Sequence, residues 1–360
     1  MALPFGMRDV LGQIAGLDAV QGAIAEGLLR VVSVFDEQLE SDLPAVSSLC
    51  RHVEQYRGKM LRPTLVLLCG MAAHVDAARS DADGWTAQRW LELITSEHIV
   101  CGAVCEMVHM ATLVHDDVLD EADTRRRART VNKLHGNEPA VMLGDYLIAN
   151  AYHLCSSLDS QAAARTVARA SVVTCAGELL QLHHREDFSL DEATYFEIVA
   201  RKTAELIAAS CSLGASASGC TPDQAALVAD FGRRVGIAFQ IQDDILDLTG
   251  EERVVGKSVG KDIQKGKLTL PLIHYLSHAS PTGRGAALRL LEQACSEDAD
   301  AADARRELAA VLQAGGSLSY ARSRAAGFIA EAQQRLDQLA PSAARRVLTA
   351  LSDAVLSRDH

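Results

Sequence analysis

The chain is short of aromatic side chains: Phe, Trp and Tyr together make up 4% of its 360 residues. Sheet cores draw on aromatic and β-branched residues, whereas the Ala and Leu abundant here favour helices. No alternating strand pattern and no internal repeat stand out. Positive charge is also scarce. The 35 Lys and Arg against 47 Asp and Glu give a formal net charge of −12, which argues against nonspecific nucleic-acid binding, a task for basic surfaces. No uninterrupted apolar run reaches roughly 20 residues, so no span across a bilayer is expected. Asp9, Asp18 and Glu26 interrupt the start of the chain; no secretory signal is read there, and a cytoplasmic location is expected. The nine Cys show neither the paired spacing of a zinc site nor a disulfide framework. Cys101 and Cys105, one helical turn apart beside valines, read as buried free thiols in a reducing compartment.

What is present is acidic and periodic. In His115-Asp116-Asp117-Val118-Leu119-Asp120, the residues four apart share one helix face, so Asp116 and Asp120 point the same way with Asp117 beside them. The pattern returns in Phe239-Gln240-Ile241-Gln242-Asp243-Asp244-Ile245-Leu246-Asp247. One such cluster is ordinarily a solvated face. Both of these lie in apolar helical runs without the Lys and Glu mixture of a surface, and carboxylates in that setting need a partner. Hard divalent cations suit them, Mg²⁺ best, because it keeps waters and shares phosphate oxygens.

The cations of this acidic chain are clustered. Arg57-Gly58-Lys59-Met60-Leu61-Arg62-Pro63 reads either as a helix start that clamps a phosphate or as a solvated basic turn. Arg125, Arg126, Arg127, Arg129 and Lys133 directly follow the first acidic cluster, for charge pairing or for bidentate grip on phosphate. Between Gly250 and Lys267 four Gly alternate with four Lys. Gly256-Lys257-Ser258 suggests a nucleotide loop, but Gly250 is one residue too far and a helix precedes it, so that reading is rejected. A basic lid over phosphates stays open.

The expected elements are one or two helices over 11–40, and helices from Pro63 to 73, over 86–120, 139–158, 161–184, from the capping box at Ser189-Leu190-Asp191-Glu192 onward, 221–249 and 271–278. Loops are expected at 80–84, 214–220, 250–267, 280–285 and 296–301, with a break at Gly315-Gly316. The helix over 86–120 is apolar nearly all round and therefore central and buried. A His on such a helix is ordinarily a satisfied core residue, as for His98 and His115. His109, with Glu106 three residues earlier, is the one singled out for function. The fold class is all-α, a single domain over 1–360 built as helices around a central cavity. The apolar face of the helices in 1–45 packs on the core or at a dimer interface.

Two acidic clusters, clustered cations and apolar helices together specify a ligand with a diphosphate held through Mg²⁺ and a hydrophobic tail. At this point the chain resembles the trans-isoprenyl diphosphate synthases. The resemblance runs from about Arg57 to the C-terminus. It rests on Gly58-Lys59-x-x-Arg62-Pro63, the first Asp motif with Arg125-Arg126, Gly144-Asp145, Lys202-Thr203-Ala204, Phe239-Gln240-x-x-Asp243-Asp244-x-x-Asp247, Gly256-Lys257, Gly260-x-Asp262 and Gly266-Lys267-x-Thr269-x-Pro271. Arg127 departs from the family, where a Gly usually follows the Arg pair.

The resemblance implies a head-to-tail prenyltransferase, acting as a homodimer with three Mg²⁺ per active site. It implies that Asp116, Asp117, Asp120 and Asp243 hold Mg²⁺ on an allylic diphosphate, with Asp244 and Asp247 in support. Arg125, Lys202 and Lys257 bind that diphosphate. Gly58, Lys59, Arg62, His109 and Arg126 serve isopentenyl diphosphate, with Lys267 also among the substrate-binding residues. Thr203 and Gln240 line the carbocation site. A large aromatic residue four or five positions before the first Asp stops elongation early in the family. Those positions are Thr112 and Ala111 here, backed by Val108, Met107 and Val104, so a product longer than geranylgeranyl is expected. Contact with a membrane is expected only transiently, for product release. A geranylgeranyl- or farnesyl-length synthase is the alternative. A class I terpene cyclase would carry an Asn/Ser/Glu motif in place of the second cluster, and a noncatalytic partner subunit tends to lose one cluster.

Overall fold

A computed structural model describes residues 17–53, 58–77, 84–126, 128–249, 261–295 and 301–357. The described chain is helical nearly throughout. In order come α1 (Asp18–Leu39), α2 (Pro44–Val53), α3 (Leu61–Ala73), α4 (Ala87–Leu91), α5 (Ser96–Leu119), α6 (Val131–His135), α7 (Asn137–Cys155), α8 (Gln161–His183) and α9 (Glu192–Val199). A π-helical stretch, Ala200–Ala204, joins α9 to α10 (Glu205–Ala217). Then follow α11 (Pro222–Thr249), α12 (Lys261–Gln264), α13 (Leu270–His278), α14 (Pro281–Cys295), α15 (Ala301–Ala314), α16 (Ser317–Leu336) and α17 (Ala343–Leu356). No strand pattern stands out in the sequence, yet β1 (Thr124–Arg125) and β2 (Ala128–Arg129) pair antiparallel. Two residues per strand are too few to leave a periodicity.

The backbone groups into two compact units. Unit 1 comprises Met1–Val172, Leu206–Arg233 and Ala332–Ala354; unit 2 comprises Val173–Glu205, Arg234–Glu331 and Val355–His360. In unit 1, α1 turns Val20, Ile24, Val31 and Phe35 inward and packs on α3 and α5. Its apolar face is thereby used on the core. Residues 1–16 lie outside the described ones.

The single helix expected over 86–120 is two helices, α4 and α5. Thr95 separates them. Its hydroxyl caps the amide of His98, while His98 Nδ1 accepts from the Thr95 amide at 3.1 Å. A capping box that uses His where Glu or Gln is usual is hard to read from sequence. The 280–285 loop is instead the first turn of α14, where Ser280 Oγ accepts from the Gly283 amide at 3.1 Å. The cap of α9 is Asp191, accepting from the Thr194 amide at 2.8 Å, not Ser189. At α11 the expected start holds: Gln224 Oε1 accepts from the Thr221 amide at 3.0 Å, and Thr221 Oγ1 accepts from the Gln224 amide. Of the loops at 80–84 and 250–267, residues 80–83 and 250–260 lie outside the described ones.

The long helix α5 carries much of unit 1's core. Val104, Met107, Val108, Met110, Ala111 and Val114 are at most 2% exposed. By length and composition α5 could cross a bilayer, yet 72% of its most apolar window is buried in the protein. It packs closely on α7, because any Cβ at Gly144 would collide with the His115 ring. His115 Nε2 sits 3.1 Å from the Val141 carbonyl oxygen. All nine Cys are free thiols. Most are buried, as expected, but Cys220 and Cys295 are half-buried and Cys175 is exposed. Burial pushes the Cys105 thiol up to about 12, which leaves it unreactive.

His98 is a satisfied core histidine. Its Nε2 lies 3.0 Å from Ser218 Oγ, which donates onward to the Gly70 carbonyl. The Ser218 proton is thus committed, and His98 Nε2–H is the donor to Ser218. Burial lowers the His98 pKa to about 4. The folded value lies below the ordinary 6.5, so the unfolded chain binds the proton more readily. Stability is full above pH 6.5 and falls as pH drops toward 4, by about 3 kcal/mol from this residue. Urea unfolding of the wild type and His98→Gln between pH 7 and 4.5 should show a shallower pH dependence in the variant. Parallel curves would contradict the assignment.

Candidate active site

In unit 1 the first acidic cluster closes α5. Asp117 is 1% exposed, and its Oδ1 accepts from Arg125 Nε at 2.8 Å. The helix end is tied down around it. The Asp117 carbonyl accepts from the Ala122 amide at 2.9 Å and from Asn132 Nδ2 at 3.2 Å. Asp116 and Asp120 are half-buried. The β1–β2 hairpin folds straight back, so that Arg125 on β1 returns to the acidic cluster it follows in sequence. Arg126 occupies the turn with φ 49°, a left-handed conformation that costs a non-glycine residue on the order of 1 kcal/mol.

Arg126 lies against the other predicted phosphate segment: any Cβ at Gly58 would collide with its guanidinium. Lys59 is exposed just before α3, and Arg62 is in its first turn. Arg62 Nε is buried with no hydrogen-bond partner. Burial lowers the Arg62 pKa, and Glu106, itself 2% exposed, opposes that shift. Glu106 favours the charged form of Arg126 as well. His109, one turn beyond Glu106 on α5, is held well below its ordinary pKa by burial first and then by Arg62, Arg126 and Arg125. It therefore stands as a neutral hydrogen-bonding imidazole among guanidiniums. Gly58, Lys59, Arg62, His109 and Arg126 thus fall in one unit with Asp116, Asp117, Asp120 and Arg125.

In unit 2 the second cluster closes α11. Asp244 is 4% exposed and accepts from Tyr195 Oη at 2.6 Å and from Gln240 Nε2 at 2.8 Å. Burial and Asp262 push its carboxyl up, while these two donors oppose that. Thr203 Oγ1 donates to Gln240 Oε1 at 3.0 Å. Asp247 Oδ2 accepts from the Asp262 amide at 3.1 Å. Asp243 is half-buried. Lys202 lies in the π-helical stretch, a local widening frequently found at functional sites. Its ammonium donates to Gln181 Oε1 at 2.8 Å and pairs with Glu178. Lys267 is half-buried after the turn at Gly266. Lys257 lies outside the described residues.

The donor chemistry fits Mg²⁺. Asp116, Asp120, Asp243 and Asp247 are half-buried carboxylates, hard oxygen donors of the kind that hold this ion through one or two protein ligands plus waters and phosphate. Asp117 and Asp244 are the buried members, each engaged by a protein donor. Of the chain-length positions, Met107, Val108 and Ala111 are at most 2% exposed. Thr112 is half-buried and donates to the His109 carbonyl at 2.7 Å. Sequence reasoning gave no role to Glu106, Tyr195, Glu178, Gln181 or Asp262. The only signal for Tyr195 is its scarcity, as one of six Tyr in the chain.

The family model described as polyprenyl synthetase matches residues 44–308. Octaprenyl diphosphate synthase of Escherichia coli is 31% identical over 346 residues, covering 95% of this chain and 99% of that protein. Nonaprenyl diphosphate synthase of Mycobacterium tuberculosis is 33% identical over 357 residues, covering 98% and 99%. Among solved structures, a polyprenyl synthase of Caulobacter crescentus complexed with calcium and isoprenyl diphosphate superposes with a TM-score of 0.84 at 28% identity. That match covers 96% of this chain and 98% of its own.

Proposed function

This chain belongs to the polyprenyl synthetase family, and from that premise we propose how its residues carry out prenyl transfer. The enzyme is a polyprenyl diphosphate synthase. It condenses isopentenyl diphosphate head-to-tail with an allylic prenyl diphosphate to give a long all-trans product. The observation that carries the site assignment is the gathering of Gly58, Arg62, His109 and Arg126 in the unit whose α5 ends in the first acidic cluster.

Arg62 and Arg126, with Lys59 and neutral His109, hold the diphosphate of isopentenyl diphosphate. Guanidiniums match its oxygens bidentately, and the imidazole contributes a hydrogen bond without adding charge. Asp116, Asp117, Asp120 and Asp243 would hold Mg²⁺, three ions per active site, with Asp244 and Asp247 in support; when bound, the ions would neutralise charge on the leaving allylic diphosphate. Arg125, Lys202 and Lys257 bind that diphosphate, and Lys267 adds a further cation. As the allylic C–O bond breaks, the oxygens of Thr203 and Gln240 offset the developing positive charge. The double bond of isopentenyl diphosphate attacks the allylic carbon. The released diphosphate takes the proton, since no strong side-chain base stands among these residues. Residues 1–360 act as one catalytic domain; the family match spans sequence from both units.

Product length is set on α5. Ala111 and Thr112 leave room where a large aromatic residue would end the tail, with Val108 and Met107 further back. Incubation with labelled isopentenyl diphosphate, an allylic primer and Mg²⁺, followed by chromatography of the alcohols, should give products longer than geranylgeraniol. Ala111→Phe should shorten them. Ala111 is fully buried and overpacking costs about 1–3 kcal/mol, so Thr112→Phe, at a half-buried site, is the companion variant. Wild-type products of farnesyl or geranylgeranyl length would reverse the chain-length reading. Unchanged products from both variants would place the floor elsewhere.

A homodimer is the proposed assembly. Val141, Met142 and Tyr152 on α7 and Val172 on α8 are large apolar side chains left exposed, Met142 and Val172 by 63% and 69%, and a second copy would cover such positions. A monomer in sedimentation at micromolar concentration would exclude it. The assembly is proposed for the cytoplasm.

A further inference from the structure

The buried face of α11 contains a hydrogen-bond chain that the assigned roles leave unexplained. It runs from Thr203 to Gln240 to Asp244, with Tyr195 closing the far end. Asp244 Oδ2 receives Tyr195 Oη at 2.6 Å and Oδ1 receives Gln240 Nε2 at 2.8 Å. Asp244 and Tyr195 are each 4% exposed. Each Asp244 oxygen thus accepts from a neutral donor, and the Gln240 amide turns its NH₂ toward Asp244. Its carbonyl must then face Thr203, whose hydroxyl donates to it at 3.0 Å. The Thr203 proton is thereby committed, and the hydroxyl oxygen keeps its lone pairs for whatever lies on its open side. The orientation of the Gln240 amide is thus fixed by its partners on either side.

We propose that Tyr195 and Asp244 are positioning residues that lock the Gln240 amide, so that Thr203 and Gln240 present oxygen to the carbon that becomes cationic. The inference rests on the prenyl-transfer reading and deepens it. A preorganised dipole stabilises charge as it develops without reorganising at the moment of reaction. Were the amide released, it could present N–H in place of C=O and repel the cation it should support. Both Asp244 oxygens are occupied by protein donors, which gives this carboxylate a structural duty distinct from that of the half-buried Asp243 beside it.

Tyr195→Phe keeps the ring and removes only the donor. Asp244→Asn keeps the shape and allows either amide orientation. Removing one preorganised donor that touches the reacting group costs on the order of 10²- to 10³-fold in rate, and loosening such a group through its partners should cost less. Each variant should therefore lose about 10-fold or more in kcat, with KM for both substrates within about two-fold of wild type. The loss should grow with a 2-fluoro allylic primer, whose cation needs more support; a general packing defect would slow both primers equally. The Mg²⁺ concentration for half-maximal rate should stay within about two-fold in Asp244→Asn. Far-UV circular dichroism and thermal unfolding verify that the variants fold. Should Tyr195→Phe unfold, Asp244→Asn carries the same comparison. A wild type without prenyl transfer would overturn the functional reading itself. An active wild type with equal losses on both primers, no loss in kcat, or a ten-fold shift of the Mg²⁺ midpoint would overturn this inference alone.

Discussion

Asp116→Ala should lower kcat by roughly 10³-fold or more, because it removes a carboxylate proposed to hold metal on the leaving diphosphate. Asp116 is half-buried in the last turn of α5, one turn before Asp120. Neither residue belongs to the apolar core, so the substitution opens no large cavity and the fold should persist. The effect should divide in a diagnostic way. The Mg²⁺ concentration for half-maximal rate should rise, while KM for isopentenyl diphosphate, whose proposed site is Arg62 and Arg126, should change little. Asp117→Ala is expected to be a different experiment. Asp117 is 1% exposed and pairs with Arg125 at 2.8 Å, so its loss leaves a guanidinium without its partner and should destabilise the helix end as well. Retention of a tenth of wild-type activity in Asp116→Ala, measured at saturating Mg²⁺, would remove the first cluster from the reaction.

Arg126→Gln should raise KM for isopentenyl diphosphate by roughly 10- to 150-fold, the ~1.5–3 kcal/mol typical of a hydrogen bond to a charged group. The geometry supports a specific and large effect. Arg126 occupies a left-handed turn position, φ 49°, that a glycine would take more easily. Its guanidinium lies against Gly58, where an added Cβ would push it aside. A strained residue held in place by its surroundings points to a task for its side chain. The allylic primer should be affected far less, because Arg125, one residue earlier, is paired with Asp117. Equal increases in KM for the two substrates, by initial rates with each varied in turn, would show that the Arg pair does not divide its work in this way. Gly58→Ala should resemble Arg126→Gln, since the added Cβ displaces the same guanidinium.

The composition and periodicity determined that this chain is helical, where helices such as α8, α11 and α13 lie, and that α5 is buried. Those properties follow from local spacing: apolar residues three and four apart, a Pro or a capping hydroxyl at a start, a Gly at a stop. The two acidic clusters and their neighbouring cations were legible for the same reason, since each fits within one or two turns of a helix. Tertiary structure decided what local spacing does not encode. It split the helix over 86–120 at Thr95, because His98 folds back to serve as a capping partner. It brought Arg126 onto Gly58 and joined Tyr195 to Asp244 across 49 positions of sequence. It also separated half-buried Asp116, Asp120, Asp243 and Asp247 from buried Asp117 and Asp244, which the repeated pattern presents as equivalent. A spacing rule places carboxylates on a face; the segments that pack on them from other parts of the chain decide which ones are buried.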